Sequence, residues 1–195
     1  MENKVEEPAL QYNYYSLQEY WDIEGSTENK NEYYNGHLVV MQGASLNHNK
    51  ILTNLHTALS SKLRDKGCMM YLNDLRLSIS SANAYVYPDA MIICGEPELT
   101  EDKFDTVKNP EAIFEVISKS SEANDRRKFF YFMQMASVKE IVMINSYDQV
   151  KVEVGIKQDN GSWQITTYNS LEDGAKILVG GEQVFLTDIY YNVSF

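Results

Sequence analysis

The chain has 195 residues, 44% hydrophobic and 23% charged, the profile of one ordinary globular domain long enough to bury about 70% of its unfolded surface. Lys and Arg total 17 against 28 Asp and Glu, a net charge of -11, which excludes a protein held to nucleic acid or anionic lipid by bulk positive charge. No apolar run approaches the ~20 residues of a membrane span, and Met1–Glu7 lack the charged-then-apolar pattern of a signal peptide.

These features predict a cytoplasmic protein with no membrane partner and a single domain over residues 1–195, of which 1–14 form a loosely ordered lead. Ser16 with Glu19 is a capping box that opens a helix through about Asp22. Tyr33 to Met41 reads as a hairpin turned by Asn35-Gly36. Asn47 is a candidate cap for a second helix, on which Ile51, Leu55, Ala58, Leu59 and Leu63 share one face; Lys66-Gly67 ends it.

Beyond that point the period changes. Met69 to Ile79 alternates as a strand, and Tyr85 to Cys94 reads as a second strand interrupted by Pro88. An acidic loop spans 95–110. Ala112 to Ile117 is a short apolar strand, Ser120 and Ser121 with Glu122 begin a helix to about Met135, and Val138 to Asn145 is another strand. From Val150 onward, alternating strands are separated by Asn160-Gly161, Asp173-Gly174 and Gly180-Gly181. This order predicts the α/β class, a mixed sheet flanked by helices with a β-rich C-terminal part. Cys68 and Cys94 lie in apolar runs without metal-ligand spacing and read as small buried hydrophobes with free thiols in a reducing compartment.

The acidity is local. Residues 1–24 carry a net -5 and residues 95–111 a net -4, whereas residues 50–76 carry +3 and residues 119–128 carry +2. Nucleic acid therefore survives as a partner, bound weakly and in a salt-sensitive manner.

Two carboxylates stand out by position. Asp89 follows Pro88 within Y-V-Y-P-D-A-M-I-I, and Glu115 lies mid-strand in A-I-F-E-V-I. A buried carboxylate demands a cation, a metal or hydrogen-bond donors. If the two strands are neighbours, both could face one hard cation such as Mg²⁺. Spacing alone favours the plainer reading, that each acid merely ends a strand or pairs with a buried Arg.

Six segments stand in a fixed order: Tyr15-Ser16-Leu17-Gln18-Glu19-Tyr20, Glu32 through Met41, Gly43-Ala44-Ser45 with His48, Tyr87-Pro88-Asp89, Phe114-Glu115-Val116-Ile117-Ser118, and Asp125-Arg126 with Lys128-Phe129 and Tyr131. In this order and spacing they resemble the Uma family of bacterial restriction endonucleases, within the restriction-endonuclease-like PD-(D/E)xK superfamily. The resemblance implies a restriction-endonuclease-like fold and a Mg²⁺-dependent endonuclease acting on DNA, with Mn²⁺ able to substitute. It implies a homodimer. Asp89 and Glu115 would hold the metal, with Glu32 completing its shell and His48 binding phosphate or tuning the site.

The superfamily's usual lysine, two residues after the second acid, is replaced here by Ile117. The family carries it on the next helix, at Lys128; Lys119 ranks second. Asp125 is accessory, and Arg126 and Arg127 would contact phosphates. Without the resemblance, the Arg126-Arg127-Lys128 cluster reads as a solvated helix face. Two other classes remain in view: a catalytically inactive nucleic-acid-binding or assembly module of the same fold, and a carboxylate-pair hydrolase of the glycosidase kind. No G-x-S-x-G, Walker loop or G-x-G-x-x-G occurs.

Overall fold

The computed structural model describes residues 14–102, 104–171, 176–179 and 181–195. Most of the expected lead, the Asp173-Gly174 turn and Gly180 lie outside the described residues. Helix α1 (Leu17–Ser26) opens on the expected capping box, with Ser16 accepting from Glu19 and Glu19 reaching back. The hairpin follows as β1 (Asn31–Tyr34) and β2 (His37–Val40). Both turn residues take positive φ, Asn35 at 44° and Gly36 at 97°, the conformation that lets a two-residue turn follow the twist of its strands.

Helix α2 (Leu46–Arg64) is capped by Ser45, whose hydroxyl accepts from the His48 N–H at 3.2 Å. Asn47, the expected cap, instead donates to the Ser194 carbonyl at 2.8 Å. The rest comprises β3 (Cys68–Leu72), β4 (Arg76–Ile79), β5 (Ala84–Val86), β6 (Ala90–Cys94), β7 (Thr106–Val107), β8 (Ala112–Ile117), α3 (Glu122–Phe132), β9 (Glu140–Asn145), β10 (Val152–Lys157), β11 (Trp163–Tyr168), β12 (Lys176–Val179), β13 (Glu182–Phe185) and α4 (Leu186–Ile189).

The architecture is mixed α/β, as expected, but the strands form two principal sheets. The main sheet has the order β11-β10-β9-β8-β6-β3 and the second β2-β1-β5-β4-β7; β12 and β13 pair separately. Each of the two long runs read as one strand is divided between the sheets. The first breaks at Asn73, which adopts φ 48°, so β3 joins the main sheet and β4 the second. The other breaks at Tyr87-Pro88-Asp89, where proline offers no N–H to a ladder, so β5 and β6 part company. The two breaks meet, with the Asn73 N–H donating to the Asp89 carbonyl at 2.9 Å.

Strand alternation sets the two faces of the main sheet. Phe114 and Val116 turn toward α2, packing with Ile51, Leu55, Leu59 and Ile144. Ile113 and Ile117 turn the other way, toward Phe129, Phe132, Leu77 and Val86. Glu115 lies between Ile113 and Ile117 in the strand and so shares the face that meets α3 and the second sheet. The parallel pair β8 and β9 is joined through α3, a βαβ unit that keeps α3 on that face.

The cysteines are corrected. Cys68 and Cys94 are direct partners in the β3–β6 register and form a disulfide, leaving no free thiol. Their closeness depends on strand pairing, which neither apolar run reveals alone. Among the described residues, no helix is long and apolar enough to cross a membrane.

Leu55 is fully buried at the centre of the α2 face. Leu55→Ala should cost about 3 kcal/mol in urea denaturation without altering the m-value, through lost transfer energy and an unfilled cavity.

Candidate active site

One cleft of about 510 Å³ opens where α2, α3 and both sheets converge. The strand break at Pro88 leaves Asp89 at the head of β6, beside β8. Both of its carboxylate oxygens are engaged: Oδ2 accepts from the Val116 N–H at 2.7 Å, and Oδ1 lies 3.1 Å from His48 Nε2. His48, in the first turn of α2, is buried and its Nδ1 has no hydrogen-bond partner. The condition set by the sequence holds, since β6 and β8 are antiparallel neighbours with Ala90 opposite Phe114.

Helix α3 supplies the cation. Its buried positions are Asp125, Lys128, Phe129 and Phe132, an i, i+3, i+4, i+7 stripe. The aromatic end packs into the core, and the charged end enters the cleft. Lys128 is 3% exposed; its Nζ lies 2.8 Å from Glu115 Oε1, 3.2 Å from Glu32 Oε1 and 3.2 Å from Asp125 Oδ1. The contact with Glu115 is ionic without hydrogen-bond alignment, which leaves Glu115 Oε1 with no donor. Glu32, from β1, is bonded by Lys128 and the Tyr87 N–H on Oε1 and by Tyr34 and Asn124 on Oε2.

These neighbours shift the acidities. Burial pushes the Glu115 carboxyl well above the usual range; Lys128 opposes this, while Asp125, Asp89 and Glu32 add to it. Burial likewise raises Asp125 against the pull of Lys128. Burial works against the Lys128 charge, but Glu115, Glu32 and Asp125 outweigh it and hold its pKa well above the ordinary lysine value.

Of the residues singled out from the sequence, Asp89, Glu115, Lys128, Glu32, His48 and Asp125 line this cleft. The other basic candidates do not. Lys119 is exposed in the turn after β8. Arg126 points away, bound to Glu153 of β10 and lying 3.9 Å from Glu122. Arg127 is exposed beside the cleft, over the Tyr34 ring at 4.3 Å and donating to Asn124. The solvated-face reading of the cluster is therefore right for Arg127 and wrong for Lys128. Sequence reasoning missed Tyr34, Tyr87 and Asn124. Tyr34 stands two strand residues from Glu32, and Asn124 one helical turn before Lys128, so shared-face spacing was the available signal.

Among the described residues, no group of three His, Cys, Asp or Glu side chains is gathered as a metal cage. Mg²⁺ does not require one, since one or two carboxylates with waters and substrate phosphate suffice. The paired strand acids, with an oxygen of Glu115 lacking a donor, fit that demand. Six carboxylates and two lysines line the cleft, so its own charge favours a cation over a phosphate.

A family model described as "Uma2: Putative restriction endonuclease" matches residues 17–184. The protein sll1609 of Synechocystis sp. is 32% identical over 149 residues, 76% of this chain and 84% of its own length. The protein slr1290 of the same organism is 29% identical over 164 residues, 84% of this chain and 85% of its own. In three dimensions the chain is similar to the crystal structure of "a putative nuclease belonging to DUF820" from Anabaena variabilis. The TM-score is 0.74 at 15% identity, covering 90% of this chain and 97% of that one.

Removing Lys128 leaves buried acids without their cation. Lys128→Met should destabilise the fold by about 3–5 kcal/mol at neutral pH. The sign follows from Glu115, whose folded pKa is raised: its protonated form is the better tolerated one, so the loss grows as pH rises. Urea denaturation at pH 5 and pH 7.5 should show the larger deficit at pH 7.5.

Proposed function

The chain belongs to the Uma2 family of restriction-endonuclease-like proteins, and on that premise we propose that it is a Mg²⁺-dependent endonuclease hydrolysing phosphodiester bonds of DNA. The observation that carries this reading is the convergence of Asp89 and Glu115, from adjacent strands, with the ammonium of Lys128 in one cleft. Asp89 and Glu115 are the residues that would hold the cation. Bound there, Mg²⁺ supplies Lewis-acid neutralisation of the scissile phosphate, and Mn²⁺ can take its place.

The chain's own groups do the remainder. His48 and the Val116 N–H fix both oxygens of Asp89, so its remaining lone pairs keep one direction. Lys128 places a full positive charge next to Glu115, where it can steady the attacking water and the extra negative charge on phosphorus. In hydrolysis a bond forms between the water oxygen and phosphorus, the bond from phosphorus to one sugar oxygen breaks, the water gives up a proton and the departing sugar oxygen takes one up from solvent. An excess of acids in the cleft repels a bare phosphate, so productive DNA binding requires the cation and weakens with salt. Lys128 thus takes the place that Ile117 leaves empty. A non-catalytic module of the same fold would keep the buried lysine as a structural ion pair, like Arg76 with Glu24, and would show no metal-dependent cleavage.

Supercoiled plasmid incubated with the protein and Mg²⁺ or Mn²⁺ should be nicked or linearised, and chelation should stop the reaction. Asp89→Ala and Glu115→Ala should each reduce the rate by about 100-fold or more. Equal activity in the wild type and both variants would overturn the site.

A further inference from the structure

We infer that Glu32 is a positioning residue that anchors the Lys128 ammonium and is not a metal ligand; this rests on the nuclease reading of the cleft. A carboxylate has about four lone-pair directions to offer. All four of Glu32 are taken by the protein: the Tyr87 N–H at 3.2 Å and Lys128 Nζ at 3.2 Å on Oε1, and the Tyr34 hydroxyl at 2.7 Å and Asn124 Nδ2 at 2.9 Å on Oε2. The side chain is 2% exposed. A cation could reach it only by displacing a donor that would then be buried without a partner.

Asp89 and Glu115 differ in this respect. Each Asp89 oxygen has one protein partner, and Glu115 Oε1 has no hydrogen-bond donor. Both acids therefore keep coordination capacity that Glu32 lacks.

The ammonium of Lys128 carries three N–H groups and meets three carboxylates. A cation held by Glu115 would compete with Lys128 for that oxygen, and Glu32 and Asp125 would keep the ammonium in place. Glu32 is the stronger anchor, because Tyr34 and Tyr87 tie it to the second sheet and Asn124 ties it to α3, the helix that bears Lys128.

The test uses Glu32→Gln, with Asn124→Ala as a milder change at a part-exposed helix position, and Asp89→Ala for comparison. Calorimetry with Mn²⁺ alone should show Glu32→Gln binding within about threefold of the wild type, and Asp89→Ala weaker by about tenfold or more. In plasmid cleavage at saturating metal, Glu32→Gln should lower kcat about tenfold or more while KM for DNA stays within about threefold. Asn124→Ala should move the same way, less far.

A readout independent of catalysis is the Lys128 ¹⁵Nζ resonance, assigned by its loss in Lys128→Met. It should be protected from solvent exchange in the wild type and broadened in Glu32→Gln. Mn²⁺ affinity reduced threefold or more in Glu32→Gln, or an unchanged ammonium resonance, overturns the inference. If the wild type cuts no DNA, the nuclease reading fails, and the calorimetric and resonance measurements still decide the role of Glu32.

Discussion

A lysine ammonium withdrawn from water among three carboxylates is the constraint around which this molecule is arranged. Stripping such a group of solvent costs several kcal/mol, recovered only if its partners stand at close range in good geometry. Those partners come from three elements: Glu32 from β1, Glu115 from β8 and Asp125 from α3 itself. Helix α3 must therefore lie between the two sheets at a fixed height and rotation. Phe129, next to Lys128, and Phe132, one turn further on, hold that rotation by packing into the apolar part of the same interface.

The support extends outward from there. Tyr87 joins the cleft to a second buried cluster. Its N–H binds Glu32, while its hydroxyl donates to Glu24 at 2.6 Å and accepts from Arg76 at 2.6 Å. Arg76 is enclosed by the rings of Tyr20, Trp21, Tyr87 and Phe104, with its charge centre 4.6–5.6 Å from their centroids. It also pairs with Glu24 at 2.8 Å. Helix α1, which contributes nothing to the cleft directly, thereby fixes the strand break from which Asp89 emerges.

Much of this was legible in the residues. The capping box at Ser16, the Asn35-Gly36 turn and the apolar strand around Glu115 are local signals, and they form where expected. The prominence of Asp89 and Glu115 followed from charge in apolar surroundings. The direction of Lys128 was legible too, since 125, 128, 129 and 132 fall on one helical stripe, yet the neighbouring arginines disguised it as part of a solvated face. What stayed hidden depends on pairing between distant segments. A strand that changes sheets at Asn73 or Pro88 has the same alternation as one that continues. The Cys68–Cys94 bond needs the β3–β6 register, and the turning of Arg126 toward Glu153 needs the position of β10. The cap of α2 lies at Ser45, two residues before the expected Asn47, because serine and asparagine cap with similar ease.

The cleft also has a temporal aspect. Glu32 and Lys128 are 96 residues apart in the chain, and Asp89 and Val116 are 27 apart. The parallel β8–β9 pair and the division of two runs between sheets mean that no early fragment can assemble this constellation. A chain emerging from synthesis, or one partly unravelled, carries all the acids and the lysine but not their geometry. The cleft's chemistry is thus withheld until β1, the start of β6, β8 and α3, far apart in the chain, have come together.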